Sequence, residues 1–251
     1  MKQVPKYRFQ APEQALQPYV DGFWSLQYEG EAPMDVVLLP DGKIDLLFSS
    51  AKQQPYHVVL VGLSTLPEKL KLLPGLVMFG ISFHPLGLEY ILRKSMAGFV
   101  NKALLLPSGF WGMENLDLDD FKGCVQQAVL KITALVPKMP DNRKLLMQRV
   151  LNETGGNMTV QAMEKRCFIS ARQLNRYWEQ QLGLPLKTYM QILRFRQSFN
   201  HIKNGKLYPE GNYADQSHFI KEVKRLSGHL PKELLQNQND RFLQFTVMPS
   251  R

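Results

Sequence analysis

The sequence predicts an α+β protein of two domains, in which a β-rich N-terminal domain precedes an all-α C-terminal domain. Short apolar segments alternate with turn residues in the first part, whereas helical spacing of apolar residues dominates the last part. Charge divides the chain at the same place. Residues 1–141 carry 13 Lys and Arg against 14 Asp and Glu, and residues 142–251 carry 18 against 8. The predicted organisation is a β-rich domain over 1–110, a connecting helix and linker over 111–141, and a helical domain over 142–251.

Composition excludes several classes of protein. The chain is 44% hydrophobic and 21% charged, which is typical of a globular protein and not of a disordered one. The N-terminus lacks the apolar stretch of a signal peptide, and every apolar run is far shorter than the roughly 20 residues that span a bilayer. Two cysteines, Cys124 and Cys167, are too few for a disulfide framework or a cysteine-based zinc site. We therefore expect a soluble cytoplasmic protein with two reduced thiols and no membrane partner.

The N-terminal part contains several predicted strands. The segment MDVVLLPDGKIDLLFSS (34–50) predicts a strand, a turn and a second strand, because Pro40 and Gly42 suit a tight reversal. Further strands are expected at 57–63 and 75–83, which are rich in Val, Ile and Phe. After these strands, the spacing changes to that of a helix over 84–95.

Structural roles, and not catalysis or metal binding, are expected for the isolated polar residues of the N-terminal part. His57 and His84 have no neighbours at metal-ligand spacing, so a structural role is favoured for both. Asp41 and Asp45 flank the predicted turn and are most simply explained as turn residues. No catalytic residue, metal site or cofactor is expected, and the chain is predicted not to be an enzyme.

Helices are predicted almost throughout the last part of the chain. A helix over 121–136 leads into the Pro-containing linker VPKMPDN at 136–142, the expected domain boundary. Caps and breakers delimit the helices that follow it. These are a helix over 142–156 ending at a glycine pair, one over 158–166, one over 171–182 capped by Ser170 and closed by Gly183, a long one opened by Pro185, and one capped by Asp215 that runs to Leu226.

Two of these helices have one apolar and one polar face. In the helix over 171–182, Leu174, Tyr177 and Trp178 lie on the inner side. In the helix after Asp215, the inner residues are Phe219, Val223 and Leu226. The outer residues are of types that bond base edges and phosphates. They are Arg172, Gln173, Asn175 and Arg176 on the first helix, and Gln216, Ser217, Ile220, Lys221 and Lys224 on the second. A merely solvated, basic face is the alternative explanation of both patterns.

The stretch ADQSHFIKEVKR (214–225) also brings the three residue types of a hydrolase triad together. Successive residues on a helix lie about 100° apart, so Ser217 and His218 cannot easily form a nucleophile–base hydrogen bond. No glycine-rich elbow precedes the serine, as α/β-hydrolases require. We therefore exclude catalysis and expect His218, which borders the core face, either to pack against the preceding segment or to contact a partner.

The helical part resembles the AraC/XylS family of bacterial transcription regulators over roughly residues 155–235. The resemblance rests on Ser-x-x-x-Leu-x-Arg beginning at Ser170, Gly-x-x-x-Lys-x-Tyr beginning at Gly183, DQSHF at 215–219, and Gly-x-x-Pro beginning at Gly228. It implies two helix-turn-helix units joined by a long helix, each of which presents a recognition helix to the major groove. The nine outer residues fall on the exposed positions of these recognition helices. The resemblance implies double-stranded DNA as partner, with a nucleoid location, and leaves RNA polymerase, a small-molecule effector and a second copy of the chain open as further partners.

The chain departs from the family between Gly205 and Tyr213. This segment is about one helical turn shorter than usual and contains Pro209 and Gly211, both of which disfavour a helix. The first helix of the second unit is therefore expected to be truncated or absent. The alternative function is a degenerate member that binds a ligand or a protein without reading DNA. A repair enzyme of the Ada type is excluded, because it needs more cysteines than the chain has.

The N-terminal part is similar, more loosely, to an uncharacterised domain that often precedes AraC-type modules. The similarity rests on LPDGKIDLLF (39–48) and GISFHPLG (80–87). It implies an effector-sensing or dimerisation role, and the sequence predicts no particular pocket for the effector.

Overall fold

A computed structural model describes residues 4–208, 213–237 and 241–247. Its N-terminal part contains eight strands and its C-terminal part is helical, which confirms the predicted α+β class. The strands are β1 (Lys6–Gln10), β2 (Val20–Tyr28), β3 (Met34–Leu38), β4 (Ile44–Ala51), β5 (Gln54–Val61), β6 (Glu68–Leu72), β7 (Leu76–Phe83) and β8 (Ala103–Leu106). The helices are α1 (Pro85–Gly87), α2 (Phe121–Leu135), α3 (Asn142–Thr154), α4 (Val160–Cys167), α5 (Ala171–Leu182), α6 (Leu186–Lys203), α7 (Gln216–Ser227), α8 (Pro231–Gln236) and α9 (Leu243–Val247).

The strands form two antiparallel sheets. Six of them make a sheet of order β1-β2-β7-β4-β5-β8, and β3 pairs with β6 in a separate ribbon. The predicted strands at 34–50 exist, but they do not pair with each other, because the chain passes from one sheet to the other between Leu39 and Lys43. The spacing over 84–95 produces α1 and then a short π-helix over Leu88–Leu92.

The C-terminal segment completes the small sheet. Phe242 bridges Val37 in parallel, and the amide of Val37 donates to the carbonyl of Arg241. The side chain of Gln244 both accepts from the amide of Leu39 and donates to its carbonyl, at 3.1 and 2.9 Å. The end of the described chain is thereby bound to the N-terminal part.

The structure confirms the predicted caps Ser170 and Asp215 and the predicted helix end at Gly183. Thr159 caps α4, Ser170 caps α5, and Asp215 caps α7, each through a side-chain oxygen that accepts from a backbone amide of the first turn. Gly183 and Gly228 end α5 and α7 with positive φ angles of 75° and 74°. These conformations favour glycine, because a side chain in the left-handed region is strained.

One hydrophobic core extends across the predicted domain boundary. It joins Phe48 and Phe79 of the large sheet to Trp178 of α5 and Tyr189 of α6. A second core contains Leu39 with residues of α6, α7, α8 and the C-terminal segment. The helix pair α4–α5 therefore shares a core with the N-terminal sheet, and α7 packs on the far part of α6. Among the described residues, no helix combines the length and apolar character needed to cross a membrane.

Candidate functional site

Helices α4 and α5 lie where the first helix-turn-helix unit is predicted, and Phe168–Ser170 join them. Leu174, Trp178 and Leu182 of α5 are buried, which fixes the side of the helix that faces the protein. Phe168 begins the turn in the left-handed conformation, with φ 56°, and its side chain is 84% exposed. The opposite side of α5 faces solvent.

The four predicted DNA-contacting residues of α5 differ in exposure and in the hydrogen bonds that their side chains make. Arg172 and Arg176 are exposed, and their side chains make no hydrogen bond or ion pair within the described part of the chain. Gln173 is also exposed, but its amide oxygen accepts from the backbone and hydroxyl of Ser170 in a capping box. Asn175 is half-buried, and its side-chain oxygen accepts from the amide of Leu186 at 3.3 Å. Two of the four side chains thus stabilise helix ends.

The C-terminal end of α5 is held by the N-terminal part. The hydroxyl of Ser95 and the amide of Met96 donate to the carbonyls of Gln180 and Gln181, at 2.6 and 2.8 Å. These bonds satisfy carbonyls that the end of a helix leaves without intrahelical partners. The hydroxyl of Tyr177 donates to Glu89 at 2.8 Å. These bonds therefore hold α5 against the segment 89–96 of the N-terminal part.

The second predicted recognition helix, α7, has the same division of faces. Phe219, Val223 and Leu226 are buried in the second core. Ile220 is half-buried and packs against that core, so it presents only part of its side chain to solvent. The other predicted contact residues of this helix are all exposed; they are Gln216, Ser217, Lys221 and Lys224.

The residues of the triad pattern have structural roles. The carboxylate of Asp215 accepts from the amide of His218 at 2.8 Å and caps α7. His218 packs edge-on against Tyr213, and its Nδ1 accepts from the amide of Ala214. Ser217 makes no side-chain hydrogen bond to any described residue. The structure thus brings no nucleophile and base together here, and His218 packs against the preceding segment.

The segment in front of α7 is described only in part. Lys206, Leu207 and Tyr208 on one side and residues 213–215 on the other are not helical. Pro209 and Gly211 lie outside the described residues, so the truncation of the supporting helix stays a prediction. The guanidinium of Arg194 lies 3.6 Å from the carboxylate of Glu222, which links α7 to α6.

A buried ionic cluster joins α6 to the sheet and was not predicted from the sequence. Asp21 lies 2.7 Å from the ammonium of Lys43 and 3.0 Å from the guanidinium of Arg196. Burial alone would raise the pKa of Asp21, but Lys43, Arg196 and His84 together hold it well below its usual value. Burial lowers the pKa of Lys43 to about 8, against the attraction of Asp21. Burial also lowers the pKa of His84 to about 3, so that its imidazole is neutral at pH 7.

Asp45 belongs to the same region, and its assignment as a turn residue is wrong. It lies within β4, where it accepts from the hydroxyl of Ser82, and that hydroxyl in turn accepts from the indole of Trp24. Burial, together with the neighbouring Asp41, raises the pKa of Asp45 to about 7. Asp41 does behave as a turn residue, because its carboxylate accepts from the amide of Lys43.

The ionic cluster borders a cavity of about 730 Å³ between the sheet, α3 and α6. Its lining includes Tyr7 and Phe9 of β1 and Arg196 and Asn200 of α6. Arg196 could have been noticed in the sequence, because it follows Ile192 by four positions and interrupts the apolar side of that helix. No local pattern indicates that it meets Asp21.

The remaining groups show no sign of chemistry. Within residues 4–208, 213–237 and 241–247, no set of three His, Cys, Asp or Glu side chains could hold a metal ion. Cys124 and Cys167 are buried and unpaired with each other, and burial raises the pKa of both thiols. His57 lies 3.0 Å from the hydroxyl of Ser49, a structural contact between β4 and β5.

Comparisons with known proteins give a family match to the N-terminal part and several similar solved structures. A family model described as a domain of unknown function (DUF6597) matches residues 8–104. This match includes both segments that carry the N-terminal similarity. No curated protein sequence matches the chain.

Several solved structures of ToxT from Vibrio cholerae are similar to this chain. One is 13% identical, with 85% of this chain and 97% of that chain covered and a TM-score of 0.45. Another, from strain O395, is 12% identical, with 85% and 96% covered and a TM-score of 0.44. A third, bound to (E)-4-(8-methylnaphthalen-1-yl)but-3-enoic acid, is 13% identical, with 93% and 98% covered and a TM-score of 0.40.

Proposed function

We propose that the chain is a sequence-specific, DNA-binding transcription regulator of the AraC type that responds to a small-molecule effector. The observation that carries the proposal is the pair of helices α5 and α7, each with a buried apolar face and an exposed face of Arg, Lys, Gln and Ser. The motif order over residues 155–235 and the positive charge of that part of the chain support it.

Arg172 and Arg176 are the principal base-reading residues on this proposal. They lie four positions apart on one exposed face of α5, and no described side chain competes for their guanidinium groups. Each can donate two hydrogen bonds to the edge of a guanine in the major groove. Gln173 and Asn175 hold helix ends, so they contribute to DNA binding mainly by fixing the shape of the unit.

The second unit adds a half-site. Helix α6 joins the two units; its 18 residues span about 27 Å at 1.5 Å per residue. That length approaches the roughly 34 Å that separates successive major-groove faces of one DNA stretch. Gln216, Ser217, Lys221 and Lys224 then read or hold the second face.

The N-terminal part senses the effector or mediates dimerisation in this proposal. Because α5 and α6 both contact it, a change there is transmitted directly to the DNA-reading part. The regulator works at the nucleoid in the cytoplasm, where it meets RNA polymerase at the promoter.

One experiment tests the reading of DNA directly. The full chain selects sequences from a random double-stranded pool, and fluorescence anisotropy then measures the affinity of the selected sites at several salt concentrations. We expect two half-sites one helical turn apart and a steep loss of affinity with salt. An Arg172→Ala/Arg176→Ala variant should lose about 1–3 kcal/mol for each base contact. A Lys122→Ala/Lys138→Ala variant removes the same charge elsewhere and should keep the affinity.

The second candidate function is a ligand-binding or protein-interaction module without specific DNA binding. The capping roles of Gln173 and Asn175 favour it, because they leave α5 with fewer free base-reading side chains. It predicts no enriched sequence in the selection and equal, weak, salt-sensitive binding by both double variants.

A further inference from the structure

The C-terminal segment 241–247, which we call the strap, lies along strand β3. The amide of Val37 donates to the carbonyl of Arg241 at 2.6 Å. The side-chain oxygen of buried Gln244 accepts from the amide of Leu39 at 3.1 Å, and its side-chain nitrogen donates to the carbonyl of the same residue at 2.9 Å. Because a buried polar group without a partner is costly, these bonds hold the strap on the ribbon β3–β6.

The strap also closes the core beneath α7. Phe242 is fully buried, and its ring centroid lies 5.0 Å from that of His229, which follows the glycine that ends α7. The ring of Phe245 lies 5.3 Å from that of Phe199 of α6. The amide of Phe242 donates to the side chain of Asn237, which caps the end of α8. One segment therefore contacts β3, α6, α8 and the turn after α7.

Helix α7 depends on this core for its position. It has 12 residues, and an isolated helix of about that length is marginal in water without tertiary packing. Its buried side chains Phe219, Val223 and Leu226 share the second core with Leu39 of the N-terminal part and with the strap. Whatever loosens these two contributions therefore loosens α7.

The chain in front of α7 gives it no helical support among the described residues. Residues 206–208 and 213–215 are not helical, and of these Leu207 and Tyr213 pack against the second core while half-buried. In a helix-turn-helix unit, the first helix normally packs against the second and helps to orient it. Support of this kind has to reach α7 from elsewhere in the chain.

Helix α5 is held differently. Its buried residues Leu174, Trp178 and Leu182 belong to the first core, in which no residue of the strap takes part. Loss of the strap contacts should therefore affect α7 and spare α5.

We propose that the strap and β3 together position the second recognition helix, so that α7 reads its half-site only while the strap is bound to the N-terminal part. The effect on DNA reading rests on the proposed function, whereas the dependence of α7 on the strap does not. A shift of the ribbon β3–β6 then reaches α7 through Leu39 and Gln244, a route separate from the contacts of Arg196.

Amide hydrogen exchange of the full chain without DNA, followed by mass spectrometry, measures how firmly each helix is held. Gln244→Ala removes both bonds to Leu39 and no apolar side chain. We expect exchange in α7 to accelerate by about tenfold or more, because two buried bonds are lost, and exchange in α5 to stay unchanged. Gln127→Ala, at an exposed position of α2, makes the same substitution away from the strap and should alter neither helix.

A matched pair of leucine variants tests the N-terminal side of the contact. Leu39→Ala opens the second core, and Leu60→Ala in β5 removes the same atoms from the first core; the two leucines are 2% and 1% exposed. Leu39→Ala should accelerate exchange in α7 more than in α5, and Leu60→Ala should not. Far-ultraviolet circular dichroism verifies that the variants are folded.

Two DNA duplexes report the consequence for reading. One contains both selected half-sites, and in the other the half-site assigned to α7 is randomised. Gln244→Ala should bind the first duplex about tenfold more weakly than the original chain and the second duplex equally well. Added to Lys221→Ala/Lys224→Ala, Gln244→Ala should cause little further loss, because a displaced α7 cannot make the contacts that this double variant already lacks.

The outcomes separate this inference from the proposed function. Equal acceleration of exchange in α5 and α7, unchanged exchange in α7 of Gln244→Ala, or an equal loss of affinity on both duplexes overturns the positioning role. If the original chain binds neither duplex, the proposed function fails, and the exchange rates alone then decide whether α7 depends on the strap.

Discussion

Replacement of Asp21 by Asn tests whether the buried ionic cluster stabilises the fold. The substitution keeps the shape of the side chain and removes its charge. It leaves the ammonium of Lys43 and the guanidinium of Arg196 together without the carboxylate that now lies 2.7 and 3.0 Å from them. The side chains of Lys43, Asp21 and Arg196 are 3%, 16% and 20% exposed, so water compensates little.

The expected loss of unfolding free energy is that of removing one partner from a buried ion pair. Such losses are about 3–5 kcal/mol, because a charge stays buried without its partner. Lys43 limits the loss in the variant. Its pKa is already about 8 in the intact cluster, and without Asp21 burial would lower it further. Lys43 can then release its proton near neutral pH.

Because Lys43 can release its proton in the variant, the loss of unfolding free energy depends on pH. Just below pH 8, Lys43 keeps its proton in the folded original protein but not in the folded variant, whereas both unfolded chains keep theirs. The variant therefore gains stability relative to the original as the pH rises toward 8. We expect the difference in unfolding free energy to be larger at pH 6 than at pH 8.

Urea denaturation followed by tryptophan fluorescence measures the difference at both pH values. Asp35→Asn is the matched control, because the side chain of Asp35 is 85% exposed and 3.9 Å from Lys71. An exposed pair of this kind contributes about 0.5 kcal/mol or less. A loss at Asp21 as small as that at Asp35, or one that grows as the pH rises from 6 to 8, would refute the reasoning.

Two further predictions concern single residues. Phe168→Gly should raise the unfolding free energy by about 0.5–1 kcal/mol, because Phe168 holds a left-handed conformation while its side chain is exposed. Phe168→Ala keeps the strained backbone and should change little in the same denaturation assay. Asp45→Asn should flatten the pH dependence of stability. The pKa of Asp45 is raised to about 7 in the folded protein, so its protonated carboxyl contributes up to about 4 kcal/mol of stability. This contribution is complete below pH 4 and is lost as the pH rises through 7. A variant whose stability falls between pH 5 and 8 as steeply as that of the original protein would contradict this.

Helix ends could be predicted from the sequence because their causes are local. A cap and the amides it satisfies lie within four positions, so Ser170, Gly183 and Asp215 were identifiable one by one. The Ser-x-x-Gln spacing at Ser170 also indicates a capping box, which would have revealed the structural role of Gln173. The cap that Asn175 gives to α6 spans eleven positions and follows no local rule.

Strand pairing could not be predicted, because it depends on contacts between residues far apart in the sequence. Pro40 and Gly42 correctly indicated a break between two strands, but these strands do not pair with each other: β3 pairs with β6, thirty positions later, and β4 pairs with β5 and β7. The strands β1, β2, β6 and β8 were not predicted. Two of these, β1 and β8, lie at the edges of the large sheet, where fewer neighbours constrain the apolar pattern.

Helix α6 joins the buried ionic cluster, which was not predicted, to the helices α5 and α7, which were predicted. Arg194 and Arg196 lie two positions apart, hence on opposite sides of the helix. Arg196 bonds to Asp21 of the sheet, and Arg194 pairs with Glu222 of α7. The same helix receives a cap from Asn175 of α5. Helix α6 contacts both proposed recognition helices. The periodicity of α5 and α7 predicts which faces could read DNA, and the position of α6 explains how an N-terminal signal could reach them.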